Sequence, residues 1–202
     1  MDILLLVSIL TVTIQAGTSL VFATLGEILT ERSGILNLGL EGIMIMGAVS
    51  GFAAAYHSQS LLVGVLIAML VGALLASIHA FLTISLRTDQ VVTGLALTLF
   101  GSGLASFLGQ RLGPGGKPLV GEVGPKFIKT SIPLLSQIPY LGDALFRQDP
   151  LVYVMYVLVP LTAYWIYKTR PGLHLRAVGE NPATADAMGI SVARTRCLYT
   201  IV

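Results

Sequence analysis

Residues 61 to 86, LLVGVLIAMLVGALLASIHAFLTISL, run without one lysine, arginine, aspartate or glutamate. A bilayer core needs about 20 apolar residues of helix, so this stretch reads as a membrane span whose backbone must be satisfied internally. Comparable segments lie at 3–25, 35–56, 90–110 and 151–167, and another starts at 197. With 54% hydrophobic and 11% charged residues, the chain falls outside the usual range of soluble domains. The expected fold is all-α, a polytopic transmembrane helical bundle in contact with membrane lipid, with 1–202 forming a single, incomplete domain. Nucleic-acid binding is not suggested. A net charge of +2 says little, because in a membrane protein the distribution of charge between loops matters more than its sum.

The first apolar segment follows Asp2 rather than a basic residue and is longer than a signal core, so it is expected to be a retained helix. CLYTIV, at the other end, starts like a further span, and the sequence is expected to be a fragment truncated at its C-terminal side. The one cysteine, Cys197, excludes an internal disulfide and reads as a small buried hydrophobe. Basic residues set the orientation: a cytoplasmic 168–196 loop puts Arg32 and Arg87 inside and the amino terminus outside. The 111–150 loop is then external. Rich in glycine and proline, it holds no long helix, and its 132–145 part is expected to carry a short interfacial one.

Small residues recur every fourth position in the third segment, at Gly64, Ala68, Gly72, Ala76 and Ala80. The fourth repeats the device with Gly94, Thr98, Gly101, Ala105 and Gly109, and the second has Gly47, Gly51 and Ala55. Such stripes let helices approach closely, which is how spans associate in lipid. A packed bundle is expected.

Polar groups inside the spans are the candidates for function. In GILNLGLEGIM, Asn37 and Glu41 stand at i, i+4 spacing among interrupting glycines. A carboxylate in a span is expensive and should face a cavity, a partner or a helix break. Asn37 and Glu41, with Thr93, are therefore candidates for lining a pathway or a broken helix. The alternative is architectural: Glu41 accepts hydrogen bonds from the broken helix or pairs with Arg32. His79 reads as a satisfied packing histidine. Metal-ligand spacing, nucleotide-binding glycine motifs and a recognisable nucleophile–histidine pattern are all missing, so no catalytic or metal site and no cofactor is expected in this chain.

GENPATADAMGI, residues 179–190, stands out for its polarity. Asn181 suits an N-cap, Pro182 the first helical position and Gly189 the left-handed C′ site, which predicts a short helix over 182–188. So short a helix needs external support. Basic residues bracket it: Lys168, Arg170 and Arg176 before, Arg194 and Arg196 after.

Three stretches, ERSGILNLGLEGIMIMGA, DQVVTGLAL and TRPGLHLRAVGENPATADAMGI, resemble the permease subunits of bacterial ABC importers for simple sugars and nucleosides, the superfamily that includes branched-chain amino acid and ribose-type permeases. The resemblance implies a non-enzymatic transport subunit in the bacterial cytoplasmic membrane, working by alternating access. It implies a cytoplasmic ATP-binding subunit that uses ATP and Mg, a second permease subunit, and an extracytoplasmic substrate-binding protein. The coupling helix of that family maps onto 179–190, with Gly179, Glu180, Asn181, Pro182, Ala183, Ala185, Met188 and Gly189 as the ATPase-coupling residues. A secondary transporter or channel, needing no ATPase, is the alternative reading.

Overall fold

The computed structural model describes residues 3–133, 136, 138–139 and 141–201. Helix α1 runs Ile3–Arg32, α2 Leu40–Ser58, α3 Leu61–Ala80 and α4 Gln90–Gly109, and a π-helical turn, Phe81–Ser85, continues α3. After a long connection come α5 (Leu141–Leu145), α6 (Pro150–Lys168), α7 (Arg170–Glu180), α8 (Pro182–Ala187) and α9 (Val192–Ile201). Strand among the described residues is limited to a short antiparallel pair, β1 (Thr130–Ser131) with β2 (Arg147–Gln148), in the register Thr130↔Gln148. The fold is an all-α helical bundle.

Among the described residues, four helical segments are long and apolar enough to cross a membrane: Leu5–Arg32, Leu61–Ser85, Gln90–Gly109 and Pro150–Lys168. The chain is a multi-pass membrane protein. Polar side chains in these helices turn inward on their own backbone, as lipid surroundings require. In α1, Thr11, Thr13 and Thr24 each donate to the carbonyl four residues earlier at 2.8 Å. α1 continues past residue 25 because GEILTER, although polar, is made mostly of good helix formers. α4 starts at a built cap, with Asp89 Oδ1 accepting from Val92 N at 2.9 Å.

The chain divides into two compact units, Met1–Leu25 with Phe127–Tyr167, and Gly26–Lys126 with Lys168–Val202. In the first, the strand pair is tied to α6: Tyr153 Oη donates to the Thr130 carbonyl (2.7 Å) and accepts from Gln148 N (3.1 Å). The buried Gln148 amide donates to the Ala144 carbonyl at the end of α5 (2.6 Å). Helix α5 lies in the 132–145 part where a short helix was expected; residues 134, 135, 137 and 140 of that part lie outside the described residues.

In the second unit, α2 packs against both α3 and α4. Met46, Leu75, Leu97 and Ala105 form its buried apolar centre. The small-residue stripes face these contacts. A methyl group built on Gly64 would lie 2.8 Å from the Gly51 carbonyl oxygen, and one built on Gly101 2.6 Å from that of Gly42. The backbones are in contact at both crossings. Helix α2 is not among the four most apolar segments: Glu41, Ser50, Tyr56 and His57 lower its hydropathy, and neighbours cover two of its sides.

The two ends of α2 differ. Near its C-terminal end, Tyr56 Oη donates to Glu122 Oε2 (2.9 Å) and the His57 ring bonds the Leu112 carbonyl (2.7 Å), which pins the connection after α4. At its N-terminal end the chain arrives through an irregular corner, residues 33–39, against which α7 and α9 are seated.

Candidate functional site

The segment from α7 to α9 is built by caps. Thr169 Oγ1 accepts from Gly172 N (3.2 Å) and opens α7, with Pro171 in its first turn. Leu175 and Val178 are fully buried along its inner face, while Leu173 and His174 are exposed. Asn181 ends α7 and starts α8 at once: its N–H donates to the Ala177 carbonyl (3.0 Å), and its Oδ1 accepts from Thr184 N (3.0 Å). Pro182 opens α8, where its missing donor costs nothing.

Helix α8 closes as a Schellman motif. Gly189 N donates to the Asp186 carbonyl (2.8 Å) and Ile190 N to that of Ala185 (3.0 Å), with Gly189 at φ +81°. Any other residue at 189 would be strained in that conformation. Ala185 is buried and Met188 is 79% exposed. A hollow of about 230 Å³ runs between α7 and α8, lined by Ala177, Glu180, Asn181, Thr184, Met188 and Ile190 among others. The result is a short rod pinned at both ends, presenting Ala183, Asp186, Ala187 and Met188 to its surroundings. Asn181→Ala is expected to remove about 1 kcal/mol of cap stability. Amide exchange about fivefold faster at 184–188, with the rest of the chain unchanged, is the check.

Gly179, at the end of α7, touches the corner. A methyl group built on it would collide with the Arg32 carbonyl and lie 3.4 Å from Gly34 N. Beside it, Arg196 Nε of α9 donates to the Ser33 carbonyl (3.1 Å), and Thr30 Oγ1 donates to that of Tyr199 (3.1 Å).

Past Gly34, itself at φ +84°, Ile35 N bonds back to the Thr30 carbonyl (3.3 Å), and over residues 36–39 side chains meet most of the backbone groups. Gln90 Oε1 accepts from Leu36 N (2.8 Å), and Glu27 Oε1 from Asn37 N (3.1 Å). His79 Nε2 bonds the Leu36 carbonyl (3.2 Å), and since a carbonyl only accepts, Nε2 carries the proton. One peptide unit, 36–37, is thus held by its C=O and its N–H from α3 and α1. Thr98 Oγ1 of α4 donates to the Leu38 carbonyl (2.8 Å).

These bonds revise the reading of the second apolar segment. Asn37 is not on a helix with Glu41; it is buried in the corner, where its Oδ1 accepts from Gly39 N (3.0 Å). The i, i+4 pair does not form, because Gly34 bends the chain away from helix and α2 starts only at Leu40. Glu41 stands exposed in the first turn of α2, where its charge suits the helix dipole. The carboxylate that accepts from the broken backbone is Glu27. Thr93 is buried, with its hydroxyl bonded to the Asp89 carbonyl (2.7 Å) and beside Thr88 Oγ1 (3.0 Å). A larger hollow of about 520 Å³ between α2 and α4 is lined by Ile45, Val49, Phe52, Ala105, Ser106 and Leu119 among others, and includes none of Asn37, Glu41 and Thr93.

Sequence reasoning missed α7, which it placed in a loop, and the roles of Glu27, Gln90 and His79 as backbone partners. For α7 a signal existed: Thr169 before Arg-Pro is a cap with proline in the first turn, and Leu175 and Val178 recur at helical spacing. For the other three, no local pattern could reveal the partner, which lies 10, 54 and 43 residues away.

Comparison with known proteins identifies the family. Residues 8–202 match the family model described as branched-chain amino acid transport system, permease component. A putative glucose ABC transporter permease protein, TsgC13 of Haloferax volcanii, is 37% identical over 198 residues, which cover 96% of this chain and 58% of that protein. The nucleoside ABC transporter permease protein NupC of Lactococcus lactis is 39% identical over 87% of this chain and 57% of its own length. The guanosine ABC transporter permease protein NupQ of Bacillus subtilis is 34% identical over 100% and 65%. The chain therefore spans about three fifths of the length of these curated relatives. No solved structure matches it. With the family model covering nearly all of its length, and a bundle of apolar helices beneath it, the chain belongs to the family of branched-chain amino acid transport system permease components.

Proposed function

We propose that this chain is the membrane-spanning part of a permease subunit in an ATP-driven importer, moving a sugar or nucleoside-like solute by alternating access. The end bearing α7, α8 and α9 faces the cytoplasm. There α8, with Gly179, Glu180, Asn181, Pro182, Ala183, Ala185, Met188 and Gly189, seats in a separate ATP-binding subunit, and ATP with Mg is used in that subunit. A second permease subunit completes the pathway, and an extracytoplasmic binding protein delivers the solute to the opposite end. The chain itself performs no catalysis.

The observation that carries this reading is the doubly capped α8. It is too short to persist alone in water, yet it is held rigid by Asn181, by the Schellman closure and by burial of Ala185, while Met188 remains exposed. Such a rod can be pushed as one body. The solute class rests on the relatives' printed substrates, glucose and nucleosides. Purification of the full-length protein from its native membrane is expected to bring with it an ATP-binding subunit. Ala185→Pro, which breaks the helix at its buried position, is expected to abolish that association and uptake together. Purification without any ATPase, accompanied by uptake that ATP depletion does not slow, would instead indicate a secondary transporter or channel.

A further inference from the structure

The geometry points to the corner 33–39 as the joint through which movement of α7 and α8 reaches the helix pair α2–α4. This inference rests on the reading of the chain as an ATP-driven permease and adds to it a transmission path. On one side, the corner is gripped by the cytoplasmic segment: Gly179 lies backbone to backbone against Arg32 and Gly34, and Arg196 Nε holds the Ser33 carbonyl. Gly179 is two residues from Asn181, the cap of α8, so little slack separates the rod from this contact. On the other side, the corner passes into the interior of the bundle, where Thr98 of α4 holds the Leu38 carbonyl, and Gly42, in the first turn of α2, packs on Gly101.

Three properties suit the corner to this role. It is non-helical, so it can change dihedral angles where a helix would have to break. Over residues 36–38, four of its backbone bonds go to side chains of α1, α3 and α4, which can follow a displaced carbonyl or N–H, whereas a helical ladder cannot. And it is buried at Ser33, Ile35 and Asn37, so a push on it is passed to packed neighbours rather than lost to solvent. Arg196 and Thr98 are positioning residues: they act through the corner and touch no solute.

The test uses the intact transporter, reconstituted in lipid nanodiscs with its ATP-binding and solute-binding subunits. Arg196→Lys keeps the charge but removes the Nε donor to Ser33. Thr98→Val keeps the shape but removes the hydroxyl. Both are expected to purify with the ATP-binding subunit at wild-type yield, while the ratio of solute-stimulated to basal ATPase falls about fivefold and uptake falls with it. Thr98→Ser is expected to restore the ratio. Gly179→Ala, although a better helix former within α7, is expected to lower the ratio about tenfold, because its methyl group displaces the corner. Wild-type ratios in both Arg196→Lys and Thr98→Val overturn the joint. So does loss of yield in step with loss of coupling, which would make the corner a structural clamp alone. Should Gly179→Ala fail to accumulate, the other two variants decide. If the wild-type complex contains no ATPase, the proposed function fails; if it couples normally and the variants do too, only the joint fails.

Discussion

Gly101→Val is expected to dismantle the α2–α4 crossing and to lower stability by about 3 kcal/mol or more. A β-carbon at 101 lies 2.6 Å from the Gly42 oxygen and 2.8 Å from both its Cα and its carbonyl carbon. The obstacle is backbone, so no rotamer change relieves it and the helices must separate. In lipid that separation is not opposed by a hydrophobic force, because tails solvate the exposed faces as well as leucine does; close packing is what held the pair. The control lies on the same helix. Gly103 has nothing within 4 Å of a built β-carbon, so Gly103→Val carries the same change of helix propensity without the collision. Thermal unfolding in detergent should show a large fall in midpoint for Gly101→Val and little change for Gly103→Val. Equal midpoints would mean that the crossing is not a stabilising contact.

The second large effect is expected at His79. Its side chain is fully buried, and Nε2 is the donor to the Leu36 carbonyl. His79→Leu keeps much of the volume and removes the donor, leaving a carbonyl unsatisfied in a region that water does not readily enter. A loss of about 1–3 kcal/mol is expected. His79→Gln places an amide donor near the position of Nε2 and should recover most of it. The histidine's Nδ1 has no partner among the described residues, so glutamine gives up little there. Amide exchange at Asn37 and Gly39, fast in the leucine variant and slow in the glutamine variant, would locate the effect in the corner. If the leucine variant protects these amides as well as the parent does, the bond contributes nothing.

What could be read from the sequence was what local rules govern. Apolar runs mark the helices, and the four-residue recurrence from Gly64 to Ala80 marks the face of α3 that meets α2. The α8 caps were legible because Asn181, Pro182 and Gly189 each answer to the conformation of a single residue. The corner was not legible. By hydropathy, GILNLG continues the run that follows it, so nothing in composition separates an irregular peptide from a helical one. Only the arrival of Glu27, His79 and Gln90 from other helices makes non-helical backbone tolerable there. Glu41 drew attention as a carboxylate within an apolar segment, but the first turn of a helix already suits a negative charge, and the accepting role fell to a residue ten positions before Asn37. Helix α7 was lost for another reason: its arginines, histidine and glycines made it look like a loop, although a helix lying along one end of a bundle needs only one apolar face.

The partners of the corner also set an order on biosynthesis. One of its amides and three of its carbonyls are met by residues that follow 43, 54, 60 and 163 positions later. A nascent chain with only α1 and α2 emerged would hold bare peptide groups at the membrane, where each is costly to leave unpaired. The hairpin of α1 and α2 is therefore expected to be completed only once α3 and α4 lie beside it, and the Ser33 carbonyl to be met only when Arg196 of α9 arrives.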